Sequence, residues 1–310
     1  MSTTDFLIAC IIPTGVGASI GGFAGDASPY VNLLSKVCPV ITNTNAVNAA
    51  CFSGINDNVL YTEGWALDAF FRGEIAFRPH KYNKIGVIFD KAIPESVLNV
   101  HINTINAVKS TYGINIIGYD TVDKADELIK KGAEALAAVY YFETPDNDDE
   151  YALHGGVDPI GKREAEISHE LTQKYMIPVA HSPAFPESEL LISSKIVDKR
   201  AAAEYITPTF LPCVLLGLYN APHLIDIKQA KDSDVTVNSV KAVIMPCNCL
   251  DSPPVWAAID KNIPVMAVEE NKTVLNATAE ALGIEEHVIK VKTYYEAAGR
   301  VLALKNGIFV

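Results

Sequence analysis

Basic residues are scarce. Against 37 Asp and Glu the chain sets only 25 Lys and Arg, a formal charge of −12 over 310 residues. Nucleic-acid binding neutralises phosphates with clustered Lys and Arg, so the balance argues against a nucleic-acid partner. Long apolar runs are also missing. No stretch approaches the roughly 20 residues that span a bilayer. The N-terminal "MSTTDFLIACIIPTG" has no basic segment, places Asp5 before its apolar run and breaks at Pro13, unlike a secretory signal. The expectation is a soluble chain without a membrane partner. A second cysteine pair is lacking as well: beside the Cys-x-Cys of Cys247 and Cys249, too little for a zinc site, Cys10, Cys38, Cys51 and Cys213 are scattered, most in or beside apolar runs. That is how free thiols are used in a reducing compartment, and a cytoplasmic location is expected.

What is abundant is the short apolar run. "FLIACIIP", "CPVIT", "KIGVIFD", "INIIGYD" and "ALAAVYYFE" are followed by "MIPVAHSP", "FLPCVLLGL", "VKAVIMP", "IPVMAVEE" and "HVIKVK". Continuous apolar strands separated by amphipathic helices predict parallel sheet covered on both faces. Val97, Leu98, His101, Ile102, Ile105 and Val108 recur at helical intervals and stop at Gly113, which marks one βαβ unit. The expected fold is α/β and two-lobed, with mostly parallel sheets flanked by helices, Rossmann-like or flavodoxin-like but without a true dinucleotide site. The lobes are expected at residues 1–150 and 151–310, joined near Pro145 to Gly156, where an acidic cluster and a Gly-Gly turn suit an exposed lid.

The first strand runs into "IIPTGVGASIGGFAGDASPY". Gly15-x-Gly17-x-x-x-Gly21 misses the G-x-G-x-x-G register of a dinucleotide loop. Gly22 and Gly25 prolong the turn, the best helix start is Ser28-Pro29, and Asn43 and Asn45 stand where an acidic ribose ligand belongs. Two readings remain: an anion-binding nest from Gly15 to Gly22 with Thr14 adding a hydroxyl, or a tight turn using glycine for positive φ.

Ligands of open parallel sheets bind beyond the strand ends. There the sequence offers Asn43, Asn45 and Asn48 to orient a polar ligand, and Cys247 and Cys249, whose pKa a following helix would lower. It also offers His181 with Ser182, and Glu269. Arg200 suits a bidentate carboxylate contact. His154, Asp158, His181 and Glu269 form an alternative divalent-metal set, although their spacing fits no metal motif. His169 falls on a helix, and Glu63 and Asp68 on a packed helix with a polar edge.

"PTGVGASIGGFAGDASP", "NAVNAA", "LYTEGWALDAF", "HGGVDPIGKREAEISH", "PVAHSPAF" and "AVEENKTVL" together resemble a bacterial and cyanobacterial family of unknown function along nearly the whole chain. The resemblance implies one enzyme-like unit and brings no activity with it. Thr42-Asn43-Thr44-Asn45 departs from the family's Thr-His-Pro-Asn, and the segment from Cys247 to Cys249 departs from an Ala-Cys-Gly-type pattern, which weakens a catalytic Cys247. The expected function is an enzyme acting on a small anionic, carboxylate-bearing metabolite by proton transfer, an isomerase, racemase or lyase. His181 with Cys249, Cys247 or Glu269 would move protons, and Cys51 and Cys247 offer a formal racemase-like pair. No cofactor is favoured, and homo-oligomers are open. A metal-dependent hydrolase and a non-catalytic small-molecule-binding protein are the alternatives.

Overall fold

Strands buried on both faces carry no polar alternation, and the apolar runs become such strands in the computed structural model, which describes residues 6–13, 15–21, 27–43, 57–142, 160–185 and 209–308. The architecture is α/β with mostly parallel sheets flanked by helices. One sheet has six strands in the order β12-β11-β10-β1-β2-β3. Its members are β1 (Leu7–Cys10), β2 (Val40–Asn43), β3 (Val59–Thr62), β10 (Val240–Pro246), β11 (Val265–Val268) and β12 (Val288–Val291), all paired in parallel. Alternate residues of β1 point to opposite faces. Ile8 and Cys10 pack with Val31 and Leu34 of α1 (Ser28–Ser35) and Val301 of α9 (Tyr294–Lys305). Leu7 and Ala9 pack with Phe70 and Phe71 of α2 (Gly64–Phe71) and Val255 of α7 (Pro253–Asp260).

The second sheet has four parallel strands in the order β6-β5-β7-β8. These are β5 (Ile85–Phe89), β6 (Ile116–Thr121), β7 (Ala135–Tyr141) and β8 (Val179–Ala184). One face is covered by α3 (Glu95–Tyr112) and α6 (Leu211–Tyr219), the other by α4 (Ala125–Lys130) and α5 (Gly161–Tyr175). Gly113 closes α3 in the left-handed region, φ 67°, as its position predicts. The short antiparallel pair of β4 (Ile75–Arg78) and β9 (His223–Asp226) lies where the chain passes from one sheet to the other and back.

The sheets do not divide at residue 150. β7 and β8 lie on either side of that position and pair with each other, while the six-stranded sheet draws β1 to β3 and β10 to β12 from the two ends of the chain. The four-stranded sheet is thus inserted between β3 and β10. "FLPCVLLGL", expected as a strand, is the helix α6. Pro212 sits in its first turn, where a missing N–H costs nothing. The helix reads as apolar all round because β7, β8 and α3 surround it, and periodicity cannot separate such a helix from a strand.

The turn after β1 is clamped to the segment following β11. Ser19 N donates to Lys272 O at 2.8 Å and Val274 N to Val16 O at 3.0 Å. Asn271, fully buried, holds the centre: its Oδ1 accepts from Ile20 N at 3.0 Å, and its Nδ2 donates to Ile20 O at 2.8 Å and Tyr294 Oη at 2.7 Å. Substituting Asn271→Ala strands these groups away from water, and the expected loss of stability is roughly 3 kcal/mol. Urea unfolding checks this, as a lower midpoint at unchanged slope.

Candidate functional site

In an open parallel sheet the ligand crevice forms where the strand order reverses. In the six-stranded sheet that point lies between β1 and β10. Counted within the sheet the order is 3-2-1-4-5-6, the order of doubly wound nucleotide-binding folds. The structure brings Gly15, Gly17, Gly21, Asn43, Cys247, Cys249 and Glu269 to this rim, at or just beyond the carboxyl ends of β1, β2, β10 and β11.

Most of them are committed to the protein itself. Gly15, Gly17 and Gly21 have φ of 71°, 58° and 80°, the left-handed values that favour glycine. A Cβ on Gly21 would also lie 2.7 Å from the Ala27 Cβ. The N–H groups of Ser19 and Ile20 are spent on Lys272 O and Asn271 Oδ1, so these two donors clamp the loop to the segment after β11. The following helix begins at Ser28, too far on for the loop to open directly into it. Asn43 turns both ends of its amide to Ile12: Nδ2 donates to Ile12 O at 2.6 Å, and Oδ1 accepts from Ile12 N at 2.9 Å.

The cysteines differ from expectation in their chemistry. Burial pushes both thiols up, Cys249 to about 12, where a helix N-terminus was expected to lower them. The helix α7 begins only at Pro253, and Cys249 donates to Pro246 O at 3.4 Å instead of facing it. Neither is a thiolate at neutral pH. Glu269 is exposed, with its backbone N–H bonded to Val291 O. Thr14, Gly22, Asn45, Asn48, Cys51, His154, Asp158 and Arg200, like the lid and junction near Pro145 to Gly156, lie outside the described residues.

His181 stands apart from these groups, on β8 of the other sheet, within the strand and not just past its end. Side chains alternate along a strand. His181 pairs with Ala138 and faces α5, whereas Ser182 pairs with Val139 on the α3–α6 face, where its hydroxyl has no partner among the described residues. The expected His181–Ser182 pairing in one site is therefore corrected by the pleat.

The face of α5 turned to His181 is unusual. Helices generally bury apolar stripes, yet Glu164, Ser168 and Thr172, spaced four apart, are all buried here. The Ser168 hydroxyl donates back to its own helix, to Ala165 O at 3.1 Å and Glu164 O at 3.3 Å, and its oxygen lies 3.0 Å from His181 Nδ1. Ser168 Oγ thus shares a hydrogen bond with His181 Nδ1 in which the imidazole tautomer sets the donor. Nε2 lies 3.9 Å from Glu164 Oε2. Burial, with His169 adding repulsion, holds His181 down at about 4, and burial lowers His169 too, so both rings are neutral at pH 7.

The third wall comes from the six-stranded sheet. β3 runs straight into α2, which packs against α5 on one side and α7 on the other. Gly64 opens α2 because His169 requires it: a Cβ there would sit 2.7 Å from His169 Nε2. Next to it the buried Glu63 accepts from Tyr61 Oη at 3.1 Å. One turn along α2, burial raises Asp68 to about 6 against the pull of Arg72. The structure therefore gathers His181, His169, Glu164, Ser168 and Glu63 where helices of the two sheets meet. Glu164 and Ser168 escaped the reading of the sequence, although their spacing beside the apolar Ile167 and Leu171 was the available signal.

The family model described as protein of unknown function (DUF3326) matches residues 7–129 and 120–310. The chain belongs to this family. An uncharacterized lipoprotein of Synechococcus sp. (strain ATCC 27144 / PCC 6301 / SAUG 1402/1) is 33% identical over 333 residues, covering 96% of this chain and 90% of that protein. No solved structure matches the chain.

Two pH effects follow from the site. His181 titrates lower folded than its ordinary 6.5, so its contribution to stability is full above pH 6.5 and is lost as pH falls towards 4. His181→Gln should flatten that part of a stability–pH curve measured by urea unfolding. Asp68 has the opposite sign: its folded value is raised from 3.8, so its ionisation costs stability as pH rises through about 6. Asp68→Asn should raise the melting temperature at pH 7.5 and leave it little changed at pH 4.

Proposed function

We propose that the protein is an enzyme that moves a proton on a small carboxylate-bearing metabolite, an isomerase, racemase or lyase, with His181 as the base. The observation that carries this reading is the 3.0 Å hydrogen bond between Ser168 Oγ and His181 Nδ1, which holds in place a ring that burial keeps neutral at pH 7. A general base needs an oriented ring with an available electron pair. The substrate anion would lie by His169 at the start of α2, whose first-turn N–H groups favour negative charge. Its arrival would draw the values of both imidazoles upward, towards the range where a base works best at neutral pH. Cys247 and Cys249 are left out of this proposal, because they follow β10 of the six-stranded sheet whereas His181 lies on β8 of the other.

Metal-assisted hydrolysis on His154, Asp158, His181 and Glu269 has less support, since His181 and Glu269 belong to different sheets. The free thiols Cys10, Cys38, Cys213, Cys247 and Cys249 favour a reducing compartment, whereas the Synechococcus relative carries the name lipoprotein. Cell fractionation decides between the two for this chain.

Thermal-shift titration with di- and tricarboxylates, amino acids, sugar phosphates and dinucleotides tests the proposal. A carboxylate should stabilise the protein, more strongly at pH 6 than at pH 8, because binding takes up a proton. His181→Gln and Gly64→Ala should each weaken that response at least tenfold while Cys247→Ser leaves it intact. Unchanged binding in His181→Gln, or stabilisation by dinucleotides alone, would remove the proposal.

A further inference from the structure

Away from this site, a second set of side chains gathers where the chain crosses between the sheets. His80 follows β4 on the outward crossing, His223 opens β9 on the return, and Glu134 stands just before β7. All three are half-buried, and each can offer one ligand atom such that the three atoms lie within 4.8 Å of one another. The two imidazole rings stack with centroids 4.0 Å apart at 26°.

Nearby groups fix the donors. Asn83 is fully buried and its Nδ2 donates to Leu218 O and Ala221 O, both at 2.8 Å. Both amide hydrogens are thereby used, so Oδ1, 3.0 Å from His223 Nε2, must accept from it. His223 therefore carries its proton on Nε2 and has a bare electron pair on Nδ1. Orientation of an imidazole by a second hydrogen bond is how proteins prepare metal ligands. Glu134 is anchored likewise, its Oε2 accepting from Lys84 N at 2.9 Å, which leaves Oε1 available.

We infer that His80, His223 and Glu134 bind a divalent transition metal of the zinc class. Two imidazoles and a carboxylate suit Zn²⁺, Co²⁺ or Ni²⁺ better than the hard cations Mg²⁺ or Ca²⁺, and they leave a fourth position for water. The ion would tie together the two crossings and the start of β7, with no part in the His181 chemistry.

Equilibrium dialysis of the chelator-treated full chain against Zn²⁺, read beside its melting temperature, tests the site. One equivalent should bind with a micromolar or tighter Kd and raise the melting temperature, and Co²⁺ should give the visible absorption of a low-coordinate site. His80→Gln, His223→Gln and Glu134→Gln should each weaken binding tenfold or more, with circular dichroism confirming the fold, while His287→Gln on the surface leaves it unchanged. Should one or two variants fail to fold, the remaining variant and the Co²⁺ spectrum of the wild type decide. Absence of stoichiometric Zn²⁺ binding to the wild-type chain overturns the inference, as does binding that survives all three substitutions or is lost in His169→Gln instead.

Discussion

The buried amide of Asn83 joins the two places where the chain passes between its sheets. It sits on the outward crossing and bonds two backbone carbonyls and a histidine from the return, at Leu218, Ala221 and His223. Around it Tyr82 N and Asn83 N both donate to Tyr219 O, and β4 pairs with β9 through Arg78 and His223. A polar group with no exposure is costly unless every donor is satisfied, and here the satisfaction specifies a unique alignment. β4 follows α2 in the chain, so the same crossing leads from the helix that packs on α5 into the four-stranded sheet.

The two sheets use polar groups to different ends. On the six-stranded sheet, Asn43, Asn271 and Asn248 are amides that fasten one loop to another. Asn248, for instance, bonds Thr273 and Leu275 across the end of β10. Such a rim is closed by its own hydrogen bonds. Beside the four-stranded sheet, by contrast, Glu164, Ser168 and Thr172 are buried along a helix that had apolar residues to offer at neighbouring positions. Burial of that kind costs stability unless the polar groups find partners.

How much of this was legible in the sequence depended on where the information lay. The parallel strands were readable because burial on both faces leaves an unbroken apolar run, as in "VKAVIMP" and "ALAAVYY". The helix α6 was not, because a helix enclosed on all sides loses its period. β4 and β9 are too short to show alternation. His181 stood out beside an apolar run, but its neighbour Ser168 comes from α5, and the Gly64 that His169 approaches comes from α2, so neither contact had a local signature. Of the two readings of the glycine loop, the sequence showed where positive φ is used, but not that the N–H groups of Ser19 and Ile20 bond residues about 250 positions away. The division into lobes was obscured by the same distance, since no local pattern announces that β1 will pair with β10.

That pairing has a kinetic meaning. β1 precedes the whole inserted sheet in the chain, and its neighbour on one side, Val240 opposite Leu7, follows that sheet. Contacts so distant in sequence form slowly, because their closure must first overcome the entropy of the intervening loop. The inserted sheet pairs strands closer in sequence than β1 and β10, and its two ends leave side by side at β4 and β9. For the late-arriving β10 the effective loop then shrinks from the full insertion to a short antiparallel pair. The crossing point therefore acts as a folding checkpoint, and until it closes, β1 presents an unpaired apolar edge that a nascent chain must shield from aggregation.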